Sequence, residues 1–226
     1  MAKLQTIRGS QFGRLNDRRL RKVFLRWRKL IETLAKNWAS ESSEALRDCP
    51  WWYLERTSVG FLAGAVWLCG GEAIEEYSTI KSFRNRRGTL KKGSGRGDLR
   101  MYIGKNGDQD FVVEAKQCPS HLEAGKEQIK KDIKKYLYKG AVKDAVSAKA
   151  DGEAQKLGIA FLVPWSSKPP NGKAIREWVD MILSVDSKVS AIWTFPGVAR
   201  TIKYRDNDGK FYYCPGVLLL AKRPRS

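Results

Sequence analysis

Glu114 and Lys116 stand one residue apart in the run QDFVVEAKQ, whose composition predicts a β-strand. Successive strand side chains alternate between faces, so this pair shares one face while Val113 and Ala115 enter the opposite layer. An acid and a lysine on one face of an otherwise apolar strand invite explanation, and hydrolysis of a phosphodiester is a reaction that could use them. That reaction needs an activated water, neutralised charge on the phosphorane and a stabilised leaving oxygen. Carboxylates holding one or two Mg²⁺ ions supply most of this, and a neighbouring lysine can position or deprotonate the water. A second carboxylate is at hand in Asp98, on the segment DLRMYIG that precedes the turn KNGD.

Asn106-Gly107 suits the positive φ angles of a tight turn, so DLRMYIG and QDFVVEAKQ are expected to form a β-hairpin. A two-residue turn there would set position 98 against 115, one step out of phase with Glu114. A three-residue loop, or a bulge at Gly97 or Gly104, would restore the phase and set Asp98 beside Glu114. Without that convergence, Glu114 and Lys116 would be an exposed ion pair on an edge strand and Asp98 a turn cap.

The pattern GRGDL, a hairpin, then VVEAKQ resembles the PD-(D/E)XK nuclease superfamily, with a layout spanning residues 58–165. The resemblance implies a restriction-endonuclease-like core in which Asp98 and Glu114 bind the metal, Mg²⁺ or Mn²⁺. It makes Lys116 the lysine that acts on the attacking water and Gln117 the glutamine that often follows it. It also implies a further metal-binding glutamate from a preceding helix. Glu72 is the first choice, sharing a helical face with Ala65, Leu68 and Cys69, with Glu75 second and Glu76 third. Arg96-Gly97 stands where the family's nominal proline would precede the aspartate.

These residues need a scaffold. Residues 1–14 are polar and basic and read as a loose arm. From Leu15 to Trp38 an apolar stripe at three- and four-residue steps predicts an amphipathic helix with a basic back. Ser58 to Phe83 reads as one long helix, or two joined near Gly70-Gly71, followed by a basic Gly-rich loop, RNRRGTLKKGSGRG. After the hairpin come a charged helix, the buried strand LGIAFLVPW, the amphipathic helix AIREWVDMILSV, and the strands VSAIWTFPGV and FYYCPGVLLLAK. The expected fold is α/β: a mixed central β-sheet flanked by helices, with an N-terminal helical extension. Residues 1–50 would form the arm and helix, and 51–226 the nuclease-like domain.

Lys and Arg total 43 against 24 Asp and Glu, a net charge of +19. Such an excess implies a polyanionic partner, because docking on phosphates releases counterions. Arg84, Arg86, Arg87, Lys91, Lys92 and Arg96 lead into Asp98, while Lys130 and Lys134 lie on the following helix; all are candidate phosphate contacts. The single histidine, His121, excludes mechanisms that need two. Four scattered cysteines with no CxxC pairing argue against a zinc ribbon. The N-terminus lacks a secretory apolar stretch and the longest apolar run is too short to span a bilayer, so a cytoplasmic protein with no membrane partner is expected. The function expected is that of a DNA endonuclease in defence, restriction or repair, with DNA ahead of RNA as substrate. The alternatives are a nucleic-acid-binding module that does not cut and an RNA-directed nuclease. The N-terminal helix could support a homodimer.

Overall fold

The computed structural model describes residues 4–13, 15, 17–39, 48–84, 89–104, 107–148, 153–205 and 208–224. Its centre is a seven-stranded sheet in the order β1-β6-β9-β5-β4-β3-β2. The strands are β1 (Ile7–Gln11), β2 (Glu72–Arg84), β3 (Leu90–Ile103), β4 (Gln109–His121), β5 (Gln155–Trp165), β6 (Ser190–Phe195) and β9 (Val217–Lys222). Only β4 and β5 run parallel, joined by a helical crossover, so the sheet is mixed as expected. A small second ribbon pairs β7 (Lys203–Arg205) with β8 (Phe211–Tyr213).

Alternation along the central strands builds two cores. Leu157, Ile159, Phe161 and Val163 of β5 face one layer, and Ala160 and Leu162 the other. The first layer holds α1 (Arg18–Ala39) and α2 (Glu55–Trp67). The second holds α5 (Gly172–Val185) and a continuous helical run made of α3 (Lys126–Ile133), a π-helical stretch (Lys134–Val142) and α4 (Lys143–Ser147).

The predicted N-terminal helix is α1. Asp17 caps it, its Oδ1 accepting from the backbone N–H of Arg19 and Leu20 at 2.9 and 3.0 Å. Leu20, Val23, Phe24, Trp27 and Ile31 bury its apolar stripe in the first core. The expected loose arm is, over Ile7–Gln11, an edge strand antiparallel to β6.

The segment after Gly71 departs from expectation: β2 is a strand, not the second half of a helix. Gly70 takes φ +78 and ends α2, and a side chain on Gly71 would meet the Tyr102 carbonyl. Ile74, Tyr77, Thr79 and Ile80 then favour extended backbone. The supposed Gly-rich loop supplies the partner, since Leu90–Gly97 continues β3 and pairs with β2 from Tyr77 to Arg84. The expected strand FYYCPGVLLLAK divides at Pro215-Gly216 into β8 and β9.

Candidate active site

The hairpin restores the phase that Asp98 requires. β3 and β4 pair from Leu99↔Val113 to Ile103↔Gln109, leaving an odd-numbered connection, 104–108. One further step would set Asp98 against Glu114, but the ladder stops at Leu99 and β3 peels away. Beyond that split β3 stays with β2, and the two form a ribbon.

The split leaves one edge of β4 without a strand. Backbone N–H groups at odd positions face that edge, and side chains answer those of Ala115 and Gln117. Asp98 Oδ2 accepts from Ala115 N at 2.7 Å, and Glu55 Oε2 accepts from Gln117 N at 2.9 Å. Position 119 is a proline and has no donor to satisfy. Two carboxylates are thus drawn to the open edge by backbone donors that a third strand would otherwise have used.

Glu114 is 1% exposed, a buried carboxylate whose cost must be met by a cation or a proton. Lys81 of β2 provides the cation: its Nζ donates to Oε2 at 2.9 Å and lies 2.8 Å from Oε1. Among the described residues Oε1 has no partner beyond this ion pair with Lys81. Burial, reinforced by the Asp98 charge and opposed by Lys81, pushes the Glu114 carboxyl up to about 7.

Lys116 sits on the same face as Glu114. Its Nζ lies 3.3 Å from Asp144 of α4 and 4.0 Å from Glu55, and donates to the Ala115 carbonyl at 2.8 Å. Burial pulls its pKa down, but Glu55, Asp98 and Asp144 outweigh burial and hold it above the usual lysine value. These acidic neighbours favour the ammonium form of Lys116, a hydrogen-bond donor. The π-helical stretch approaches closely here, and a side chain on Gly140 would come within 3.0 Å of Lys116 Cγ.

Among the carboxylates named from the sequence, Glu72 does not join the site. It is exposed at the start of β2, paired with Tyr102, because the helix expected to carry it is a strand. Glu75, Glu76, Asp98 and Glu55 line one open cleft of about 310 Å³. Glu76 takes φ 49 where the β2–β3 ladder skips the pair with Asp98, and Arg56 and Arg96 hold its carboxylate. The helical glutamate beside Lys116 is Glu55, in the first turn of α2. It lies three residues before the stretch that reads as helical from Ser58. Lys81, Tyr77 and Asp144 were likewise unmarked.

Gln117 is occupied structurally: its Nε2 donates to the Tyr53 carbonyl at 2.6 Å and its Oε1 accepts from Ser58 at 3.3 Å. Of the basic candidates, Lys91, Lys92 and Arg96 are exposed on the ribbon, which also carries Arg84 at the end of β2. Arg86 and Arg87 lie outside the described residues. Lys130 and Lys134 are exposed on the crossover helix, Lys130 paired with Glu127 at 2.6 Å.

Among the described residues no cluster of three or more His, Cys, Asp or Glu side chains is arranged to hold a metal. The donor chemistry nonetheless fits a hard divalent cation. Glu114 presents a buried carboxylate whose Oε1 is met by the Lys81 ion pair alone among the described residues, the Asp98 charge acts on it, and Mg²⁺ takes one or two carboxylates plus water and substrate oxygens.

Fold and site together define an α/β protein with a mixed sheet and an acid–lysine cluster where two strands part. No model of a protein family, no curated protein and no solved structure matches the chain. Among the described residues no helix is long and apolar enough to cross a membrane.

Proposed function

We propose that this protein is a metal-dependent nuclease that hydrolyses phosphodiester bonds of DNA, an endonuclease acting in the cytoplasm in defence, restriction or repair. The observation that carries the reading is that Asp98 follows the last β3–β4 pair, Leu99↔Val113, at a strand split, its Oδ2 accepting from the N–H of Ala115, the residue between Glu114 and Lys116. Asp98 and Glu114 would hold Mg²⁺ or Mn²⁺, with Glu55 a further carboxylate in the cleft that Asp98 lines. When bound, the ion supplies charge neutralisation at the phosphate and a more acidic water. Lys116, kept protonated by its acidic neighbours, orients the attacking water or donates to the phosphorane. The net charge of +19 and the basic ribbon beside Asp98 support a phosphate backbone as substrate.

Incubation of supercoiled plasmid, linear DNA and RNA with Mg²⁺ or Mn²⁺ tests the reading. Wild-type protein is expected to cut DNA, and Lys116→Ala and Asp98→Asn to lose roughly 100-fold or more of the rate, the scale of a lost catalytic group, while still binding DNA. Cutting of RNA alone would make it an RNA-directed enzyme. Binding with no cutting of any substrate by the wild type would leave a nucleic-acid-binding module.

A further inference from the structure

Lys81 belongs to β2, and β2 is separated from β4 by β3. Two strand spacings are roughly 10 Å, too far for ordinary neighbours in a flat sheet. Two features close the gap. The ribbon curls over the face that carries Glu114 and Lys116, with a backbone bridge between Lys81 and Ala148 just after α4. In addition, β3 presents glycine at positions 93, 95 and 97, all on one face. A Cβ on Gly95 would lie 3.0 Å from Lys81 Cγ and 3.1 Å from Cδ, and one on Gly97 would collide with the Tyr77 ring. The bare stripe is the path along which the Lys81 stem reaches Glu114. The GSGRG run is accounted for by these crossings rather than by a loop.

Both Glu114 oxygens lie within 2.9 Å of the Lys81 ammonium, and the Lys81 side chain is 26% exposed. A buried carboxylate paired with a tethered, partly exposed lysine has a counter-ion that can be exchanged. We infer that Lys81 is a resident counter-cation of the site, holding Glu114 until a divalent ion takes that carboxylate, so that Lys81 and the ion compete for the same oxygens. This rests on the nuclease reading, in which Glu114 is a metal ligand. It adds that the ribbon carrying Lys81, which also bears Lys91, Lys92 and Arg96, is what the incoming ion must displace.

Titration of the full-length protein with Mn²⁺ alone, in mildly alkaline buffer and followed by calorimetry, tests the inference without any cleavage assay. Lys81→Met is expected to bind Mn²⁺ about tenfold or more tightly than wild type, since a unit charge a few ångströms from the ion has been removed. Lys81→Arg, which keeps the charge, is expected to stay near wild type, and Glu114→Gln to bind far more weakly than either. Equal or weaker binding by a folded Lys81→Met protein overturns the competition while leaving the metal site standing. Absence of Mn²⁺ binding in every protein, wild type included, overturns the metal-site reading and this inference with it. Should Lys81→Met fail to fold, Lys81→Gln takes its place with the same expectation.

Discussion

Glu55 shows how a single side chain can serve the backbone and the site at once. One oxygen accepts from Gln117 N, and the same carboxylate lies 4.0 Å from Lys116. Its own pKa is raised, by burial first, against the pull of Lys116 and the Gln117 hydrogen bond. Glu55→Ala would strand the Gln117 N–H at a half-buried edge, at a cost of about 1–3 kcal/mol. Glu55→Gln retains an acceptor and should recover most of that stability, but not the charge beside Lys116. Denaturant unfolding of both variants checks the first effect. Two variants of equal stability would show that this acceptor does not hold α2 to β4.

At the scale of elements, the junctions are held by charged groups whose protonation is readable. Asp186, at the end of α5, accepts from Lys222 of β9 at 2.5 Å and from Tyr138 of the π-helical stretch. Burial pushes its carboxyl up, but these bonds and that of Lys188 N outweigh burial and hold it at about 2, below the ordinary 3.8. A depressed carboxylate stabilises the fold fully above its unfolded pKa, and the benefit is lost as pH falls through the folded one. Asp186→Asn should therefore be less stable than wild type by on the order of 2 kcal/mol near neutrality. The gap should close as the pH falls from about 4 to about 2. Melting curves across that range test it, and a gap that persists undiminished at the acid end would refute the assignment.

For the whole molecule, α1 belongs to the same core cluster as β3, β4, β5 and β9. It contributes Leu20, Val23, Phe24, Trp27, Ile31 and Ala35, all buried. The larger of these are worth roughly 1.5–3 kcal/mol each, so their combined loss is comparable to the entire net stability of a typical domain, about 5–15 kcal/mol. Deletion of residues 1–38 is expected to abolish cooperative unfolding, and β6 would lose its β1 partner as well. A truncated chain with an unchanged melting transition and unchanged solution mass would contradict this.

Period and composition in the chain determined much on their own. The 3.6-residue stripes of α1 and α5, the two-faced burial of β5 and the hairpin that ends in Glu114 and Lys116 all follow from side-chain spacing, a local property. Their local signals agree with their tertiary setting, so the α/β class and the hairpin joining the segments of Asp98 and Glu114 could be anticipated. The fate of residues 72–97 could not. A Glu-rich stretch and a Gly-rich basic run each look unlike a strand. They become strands because β3 outruns its ladder with β4 and its backbone donors and acceptors need a partner, which only β2 provides. The same non-local pairing removes Glu72 from the site, brings in Lys81 across a glycine stripe, and opens the β4 edge that recruits Glu55. Contacts between residues 33 and 62 positions apart carry no periodic trace in the chain, and three-dimensional packing alone selects them.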